Sequence, residues 1–316
     1  MRVLVTGGAG FIGSHVCEHL LARGDQVTVL DNYNDFYDPA RKRENAAALR
    51  GAELVEGDIR DASLIARLFR ERGFDGVVHL AAMAGVRPSL LDPLLYSDVN
   101  IRGTQVILRE LERRPEVRLA FASSSSVYGA NERVPFREDD DIHRPISPYA
   151  ATKRAGELLC FTHHHLYGTP ISALRFFTVY GPRQRPEMAI HAFVRLCLAR
   201  KPLPFFGDGT TRRDYTYIAD IVDGTVRALD RAAGFEVYNL GEARTISLSE
   251  LITAVGAACG VEPILDRKPM QPGDVLVTYA DVSKARARLG YDPRTTLEEG
   301  LARFLEWYRA RARRAD

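Results

Sequence analysis

The chain has 316 residues, enough for one large α/β domain or two smaller ones with ample core. Its 43 Lys and Arg balance 41 Asp and Glu to a formal charge of +2, so no long-range field selects nucleic acid or an anionic membrane as partner. No apolar run approaches the ~18 residues that span a bilayer, and the opening one is too short for a signal sequence, which predicts a cytoplasmic protein.

Residues 1–6 form a short apolar run with β-branched members, which breaks into Gly7-Gly8-Ala9-Gly10-Phe11-Ile12-Gly13. A buried strand entering a glycine-rich turn and then an amphipathic helix opens a βαβ unit. Glycines at 7, 10 and 13 permit a tight turn, close approach of backbone to a pyrophosphate and close packing of helix on strand, while the helix amino end offers unpaired N–H groups to the anion. The next strand, 26–30, runs into Asp31, 18 residues past Gly13. An acid there accepts hydrogen bonds from the adenosine ribose hydroxyls and repels a 2′-phosphate; with no Arg at position 32, the expected cofactor is NAD.

Apolar strands recur at 53–56, 76–80 and 118–121, each preceded by a helix-like stretch such as 63–72 or 96–113. That alternation predicts an α/β fold with a doubly wound parallel (Rossmann) sheet. Ligands in such sheets bind beyond the carboxyl ends of the strands, where this chain has Gly7, Asp31, Asp58, Ala81 and Ser123 to Ser126. A helix over 148–168 then carries Tyr149 and Lys153 one turn apart, so an ammonium beneath the phenol can stabilise its anion and make it a general base. The strand 171–177 follows, and past Tyr180-Gly181-Pro182 the texture changes, with Pro, Gly and aromatic residues dense over 201–217. The expected division is a cofactor-binding domain over 1–178, with about 214–234 packing back onto it, and a smaller mixed α/β substrate lobe over 179–316.

Cys17, Cys160, Cys197 and Cys259 are scattered, with no C-x-x-C pair and no acid or histidine at ligand spacing, so neither disulfides nor zinc is expected. His163, His164 and His165 point ~100° apart on a helix and cannot converge on one ion. No metal is expected.

Taken together, Thr6 to Gly13, Asp31-Asn32, Gly57-Asp58, His79-Leu80-Ala81-Ala82, Ser123 to Gly129, Tyr149 to Lys153 and Arg212-Arg213-Asp214-Tyr215 resemble the extended short-chain dehydrogenase/reductase family and, within it, the nucleotide-sugar 4-epimerases. The resemblance runs over essentially the whole chain. It implies an isomerase in which Ser124, Tyr149 and Lys153 are the catalytic triad. It also implies a cofactor site of Gly7, Gly10, Phe11, Ile12, Gly13, Asp31, Asn32, Asp58, Ile59, Leu80, Ala81, Ala82, Asn100, Tyr149, Lys153 and Phe176. Asp58 and Ile59 would frame the adenine, and Lys153 would grip the nicotinamide ribose. Similar 4,6-dehydratases place an Asp-Glu pair, and related decarboxylases a Glu, before the Val-Tyr-Gly that is here Val127-Tyr128-Gly129. This chain has Ser125-Ser126. Elimination lacks its acid, leaving oxidation at C4, rotation of the 4-keto sugar and reduction from the opposite face.

The segment 175–189 looks most like the UDP-glucuronate 4-epimerases, with Thr178 where UDP-glucose epimerases usually carry Asn. A uronate carries a carboxylate on C5, and Arg suits paired hydrogen bonds to it. Arg185 with Thr178 is the expected clamp, with Arg87, Ser89, Ser124, Ser125, Ser126 and Met188 as further sugar contacts. Phe206 would stack the uracil, Arg213 would pair the diphosphate and Asp274 would take the uridine ribose hydroxyls; Gln271 stands where many UDP-galactose epimerases have a diphosphate arginine. A UDP-glucose or UDP-N-acetylglucosamine 4-epimerase is the alternative, and a non-catalytic NAD-sensing protein a remote one. Similar proteins pair helices corresponding to 92–114 and 148–168 across a two-fold, so a homodimer is expected, although the stripe Val99, Val106 and Leu111 suits an intrachain core equally well.

Overall fold

The structure, a computed structural model, describes residues 1–270 and 275–315. The chain first alternates strand and helix: β1 (Arg2–Thr6), α1 (Phe11–Ala22), β2 (Gln26–Asp31), α2 (Pro39–Ala48), β3 (Glu53–Glu56), α3 (Ala62–Arg72) and β4 (Gly76–His79). Then α4 (Val86–Leu91), α5 (Pro93–Ser97), a π-helical turn over Asp98–Arg102 and α6 (Gly103–Leu111) lead to β5 (Arg118–Ser124). A 3-10 turn over Ser125–Tyr128 and α7 (Pro148–Tyr167) precede β6 (Ile171–Phe176). The helix expected over 96–113 is broken, because Asp92 caps the amide of Leu95 with Pro93 in the first turn and the π-turn interrupts the regular ladder.

The strands pair in the order β11-β6-β5-β4-β1-β2-β3, all parallel, where β11 (Phe235–Leu240) is reached after β7 (Thr178–Tyr180), α8 (Ala189–Leu198), β8 (Leu203–Phe206), β9 (Arg212–Arg213), β10 (Tyr215–Tyr217) and α9 (Ile218–Asp230). The order reverses at β1 and β4, so the crevice for a ligand opens beyond their carboxyl ends. β11 comes from a stretch assigned to the smaller lobe on sequence. It was hidden because Phe235, Glu236 and Val237 on this edge strand are only half-buried and give no continuous apolar run. The chain continues through β12 (Ile246–Ser247), α10 (Leu248–Cys259), β13 (Leu265–Lys268), α11 (Ser283–Leu289) and α12 (Leu297–Ala315).

Alternation along the strands builds the two layers. Val3, Val5, Val27, Val29, Val78, Ala120, Ala122 and Leu174 face a core shared with Val16 and Leu20 of α1 and Ile221 and Leu229 of α9. Leu4, Leu30, Val77, Leu119, Phe121 and Ala173 face Ile65, Leu68 and Phe69 of α3, Ile107 and Leu111 of α6 and Cys160 of α7. The two-sided burial is what a parallel sheet requires. Val99 and Leu111 lie in this second core, with Val106 packed against it. Among the described residues no helix is long and apolar enough to cross a membrane.

Candidate active site

A cleft of about 540 Å³ lies beyond the carboxyl ends of β1, β2, β4 and β5. At its floor Gly7 has φ +70, and a Cβ there would lie 2.8 Å from the amide nitrogen of Ala81; a Cβ on Gly13 would lie 2.1 Å from the carbonyl oxygen of Gly7. The turn is closed by the Gly10 amide donating to Gly7 O at 3.0 Å and the Ser14 amide to Gly10 O at 3.0 Å. No side chain fits on the inner face of this cradle, so backbone amides and the amino end of α1 are what a ligand meets. That is the surface a dinucleotide pyrophosphate needs.

Asp31, at the end of β2, accepts from the Ala9 amide at 3.1 Å and the Tyr33 amide at 2.9 Å, and is 7% exposed. Burial raises its carboxyl pKa while those amides oppose the shift, so it braces the glycine turn as well as facing the cleft. Asp58 is forked by Arg60, with Nε to Oδ1 at 2.9 Å and Nη2 to Oδ2 at 2.7 Å, and accepts from Asn32 Nδ2 at 3.0 Å. These bonds hold its pKa down at about 2. Phe11, Ile12, Asn32, Ile59, Leu80, Ala81, Ala82 and Phe176 complete this wall.

Asn100 does not reach the cleft. It is buried, and its amide is saturated by the Met83 backbone, at 2.8 and 2.9 Å, and by Thr152 Oγ1 at 3.0 Å, so it braces the loop after β4. Conversely, Asn34, Phe36, Tyr37 and Lys42 line the cleft and were not foreseen. Lys42 is buried and donates to Asn34 O at 2.9 Å and Asn34 Oδ1 at 2.7 Å, beside Asp31. The signal was there: Asp38 caps the Ala40 amide with Pro39 in the first turn of α2, which fixes Lys42 in the opening turn of a helix directed at the site.

The chemical groups gather where β5 and α7 meet. Ser124 ends β5 opposite Phe176 of β6, and its Oγ accepts from the amide of Ser126 at 3.2 Å and from Ser126 Oγ at 3.0 Å. α7 starts on the Ser147 cap with Pro148 behind it, which delivers Tyr149 in the first turn and Lys153 one turn later. Lys153 is buried, and its Nζ donates to Ala122 O at 2.7 Å and stands 6.0 Å from the Tyr149 ring centroid. The ammonium therefore rests on the strand carbonyl rather than directly under the phenol. Burial lowers its pKa to about 8. Burial also raises the Tyr149 pKa, with the Ser124 hydrogen bond and the Arg185 charge pulling it back.

A buried network stands behind this constellation. Glu157, one turn past Lys153, accepts from Ser123 Oγ at 2.6 Å, from Arg175 Nε at 2.9 Å and Nη2 at 3.0 Å, and from Arg154 at 3.2 Å. Arg175 Nη1 reaches the Tyr128 hydroxyl at 2.9 Å, which in turn donates to Asn239 of β11 at 2.7 Å. This buried network ties α7 to Ser123 of β5, Arg175 of β6 and, through Tyr128, Asn239 of β11.

On the opposite wall Thr178, Arg185, Met188, Arg87 and Arg213 face the cleft together with Ser125 and Ser126. Arg185 Nε lies 2.9 Å from Glu187 Oε1 in an ion pair without hydrogen-bond alignment, and the guanidinium covers the Phe36 ring at 5.3 Å. Ser89 does not offer its hydroxyl to the cleft: it is buried and donates to Val86 O within α4, whereas Phe206 lies beside the cleft-lining Arg87, 5.9 Å from its guanidinium. Asp274 and Gln271 lie outside the described residues. All four cysteines are buried, and His163 and His164 are tied to Thr169 at the end of α7. Among the described residues no group of three or more His, Cys, Asp or Glu could hold a metal.

Residues 4–304 match the family described as GDP-mannose 4,6 dehydratase. UDP-glucuronate 4-epimerase 3 of Arabidopsis thaliana is 44% identical over 97% of this chain and 76% of its own length. The crystal structure of UDP-glucuronic acid 4-epimerase from Bacillus cereus in complex with UDP-glucuronic acid and NAD superposes with a TM-score of 0.92 at 37% identity, over 98% of this chain and 99% of that one. The UDP-glucose 4-epimerase of Thermotoga maritima with UDP-glucose gives 0.91 at 34% identity, over 99% of this chain and 100% of that one.

Proposed function

The chain belongs to the GDP-mannose 4,6 dehydratase family, within the extended short-chain dehydrogenases/reductases, and from that premise we propose that it is an NAD-dependent UDP-sugar 4-epimerase converting UDP-glucuronate to UDP-galacturonate. The observation that carries the reading is the cleft. Ser124, Tyr149 and Lys153 converge beside the glycine cradle, Arg185 and Thr178 face them, and no acid stands between Ser124 and Val127.

When bound, NAD supplies the acceptor, and later the donor, of the two electrons and proton exchanged at the sugar C4. Gly7, Gly10 and Gly13 with Phe11 and Ile12 would hold its pyrophosphate, Asp31 and Asn32 its adenosine ribose, and Asp58 and Ile59 its adenine. The protein's own residues manage the proton. Tyr149, as phenolate, takes it from the C4 hydroxyl, and Ser124 hydrogen-bonds the same oxygen and can relay it, so the oxidation half-reaction ends with the proton on the chain. In the return half-reaction Tyr149 gives it back to an oxygen presented with the other face of the sugar. Ser125 and Ser126 offer hydroxyls and no base, so C5 is not deprotonated. Arg185 with Thr178 holds the C5 carboxylate. The 4-keto intermediate is a β-keto acid that loses CO₂ when its carboxylate stands perpendicular to the ketone plane, and the clamp forbids that orientation.

We further propose a cytoplasmic homodimer built on α4, α5 and α7. Leu91 and Leu94 are 88% and 81% exposed, and Leu158 and Phe161 also stand in solvent on α7, which contacts both short helices. Residues 1–178 with 214–234, and β11 beside them, form the cofactor-binding part in this reading, the remainder the substrate lobe. The test incubates purified protein separately with UDP-glucuronate, UDP-glucose and UDP-N-acetylglucosamine and separates the products. Inversion of UDP-glucuronate supports the assignment; inversion of the neutral sugars alone moves it to the UDP-glucose or UDP-N-acetylglucosamine alternative.

A further inference from the structure

The loop 181–188 that presents Arg185 is gripped from behind by side chains that do not reach the cleft. Arg183 sits at φ +66, in the left-handed region that a residue with a Cβ adopts only when its surroundings impose it. Its side chain turns away from the cleft, is 16% exposed, and Nη2 pairs with Glu18 Oε1 on α1. His15, three residues earlier and on the same face of α1, has Nε2 3.0 Å from Pro182 O; a carbonyl only accepts, so that nitrogen carries the hydrogen. The next residue is pinned as well. Gln184 is buried, donating to Val179 O at 3.0 Å and accepting from the His191 amide at 3.1 Å. With 182, 183 and 184 all anchored, the direction left to Arg185 is into the cleft.

We infer that Arg183 is a positioning residue for substrate selection: its ion pair with Glu18 holds the left-handed turn that aims Arg185 at the C5 carboxylate. The inference rests on reading Arg185 as the carboxylate clamp. α1 is also the helix that begins at the glycine cradle, so one rigid element registers the dinucleotide and the loop facing the sugar. The device acts on fidelity rather than on the proton transfer at Tyr149. If Arg185 swings, the carboxylate of the 4-keto intermediate is free to turn; the C5–C6 bond then breaks, CO₂ leaves, and the bonding pair stays on C5 as an enolate that takes one proton from solvent. The two electrons removed at C4 remain on the reduced cofactor, so every such event also leaves one NADH.

The experiment uses the NAD-loaded protein and UDP-glucuronate labelled at C6. Glu18→Gln, Arg183→Gln, Arg183→Gly, the charge-swapped pair Glu18→Arg with Arg183→Glu, and Arg185→Ala are compared for labelled CO₂ per epimer formed, NADH absorbance, KM and kcat. Bound NAD and the thermal midpoint report folding. Arg183→Gly keeps a residue at ease at positive φ while removing the ion pair, so it separates the charge from the backbone. The expected result is a CO₂-to-epimer ratio and a KM raised about five- to thirtyfold in the Glu18 and Arg183 single variants, with kcat within about twofold, and a ratio returned toward the parent's in the swapped pair. If Arg185→Ala raises ratio and KM while the Glu18 and Arg183 variants match the parent, the positioning role is overturned and the clamp stands. If Arg185→Ala changes neither, the clamp reading falls and the inference falls with it.

Discussion

Replacing Gly13 by Ala adds one methyl group at the tightest point of the cradle. Its carbon would lie 2.1 Å from Gly7 O and 2.7 Å from the Gly8 Cα, well inside the 3.4 Å at which ordinary contact begins, and both neighbours are backbone. No side-chain rotation relieves that overlap, so the first turn of α1 must back away from the loop by about an ångström, straining the Gly10-to-Gly7 and Ser14-to-Gly10 hydrogen bonds. Overpacking of this kind costs about 1–3 kcal/mol of stability. The larger effect falls on the cofactor: losing one amide hydrogen bond to a charged phosphate is worth about 1.5–3 kcal/mol, or roughly ten- to a hundredfold in Kd. The assay measures NAD released from denatured purified protein, and its affinity by calorimetry on stripped protein. A Gly13→Ala variant that binds NAD within about threefold of the parent would refute the argument.

Other outcomes follow from the same geometry. Tyr149→Phe should lower kcat by about 10²–10⁴ with bound NAD unchanged, measured by product separation. Lys153→Met should lower kcat and move the rising limb of the pH–rate profile upward, since the buried phenol, whose pKa burial already raises, must then ionise with no ammonium beside it. His191 is buried and held at about 4 against an ordinary 6.5. Above 6.5 both folded and unfolded chains carry it neutral and it contributes no pH dependence. Between 6.5 and 4 only the unfolded chain gains the proton, and stability falls by up to ~3 kcal/mol, a loss that denaturant unfolding should find absent in His191→Gln. Leu94→Glu with Phe161→Glu should shift sedimentation from dimer to monomer; an unchanged profile would exclude the α4, α5 and α7 face as the interface.

The residues of the cofactor end were legible because they are consecutive or periodic. Glycines at 7, 10 and 13, an acid at the end of β2, and alternating strands in a two-sided sheet are local statements about backbone freedom and burial, and the fold obeys them. Tyr149 and Lys153 were legible as a pair for the same reason, one helical turn being a local distance. What local sequence does not contain is the direction of a side chain once distant segments compete for it. The Lys153 ammonium goes to Ala122 O, Asn100 and Ser89 spend their polar atoms on backbone, and Glu157 meets Arg175 from another element; each partner lies across the packed core, where an unpaired polar group is costly, so the tertiary contacts decide. The edge strand β11 was decided the same way, since it exists by pairing with β6 and not by its own apolar run. The sequence by itself specified the glycine turn, most of the parallel sheet and the helix that carries Tyr149 and Lys153, while only the assembled chain decided how the loop bearing Arg185 is held, because Arg183 in that loop finds its partner in Glu18, 165 residues away, on the first helix.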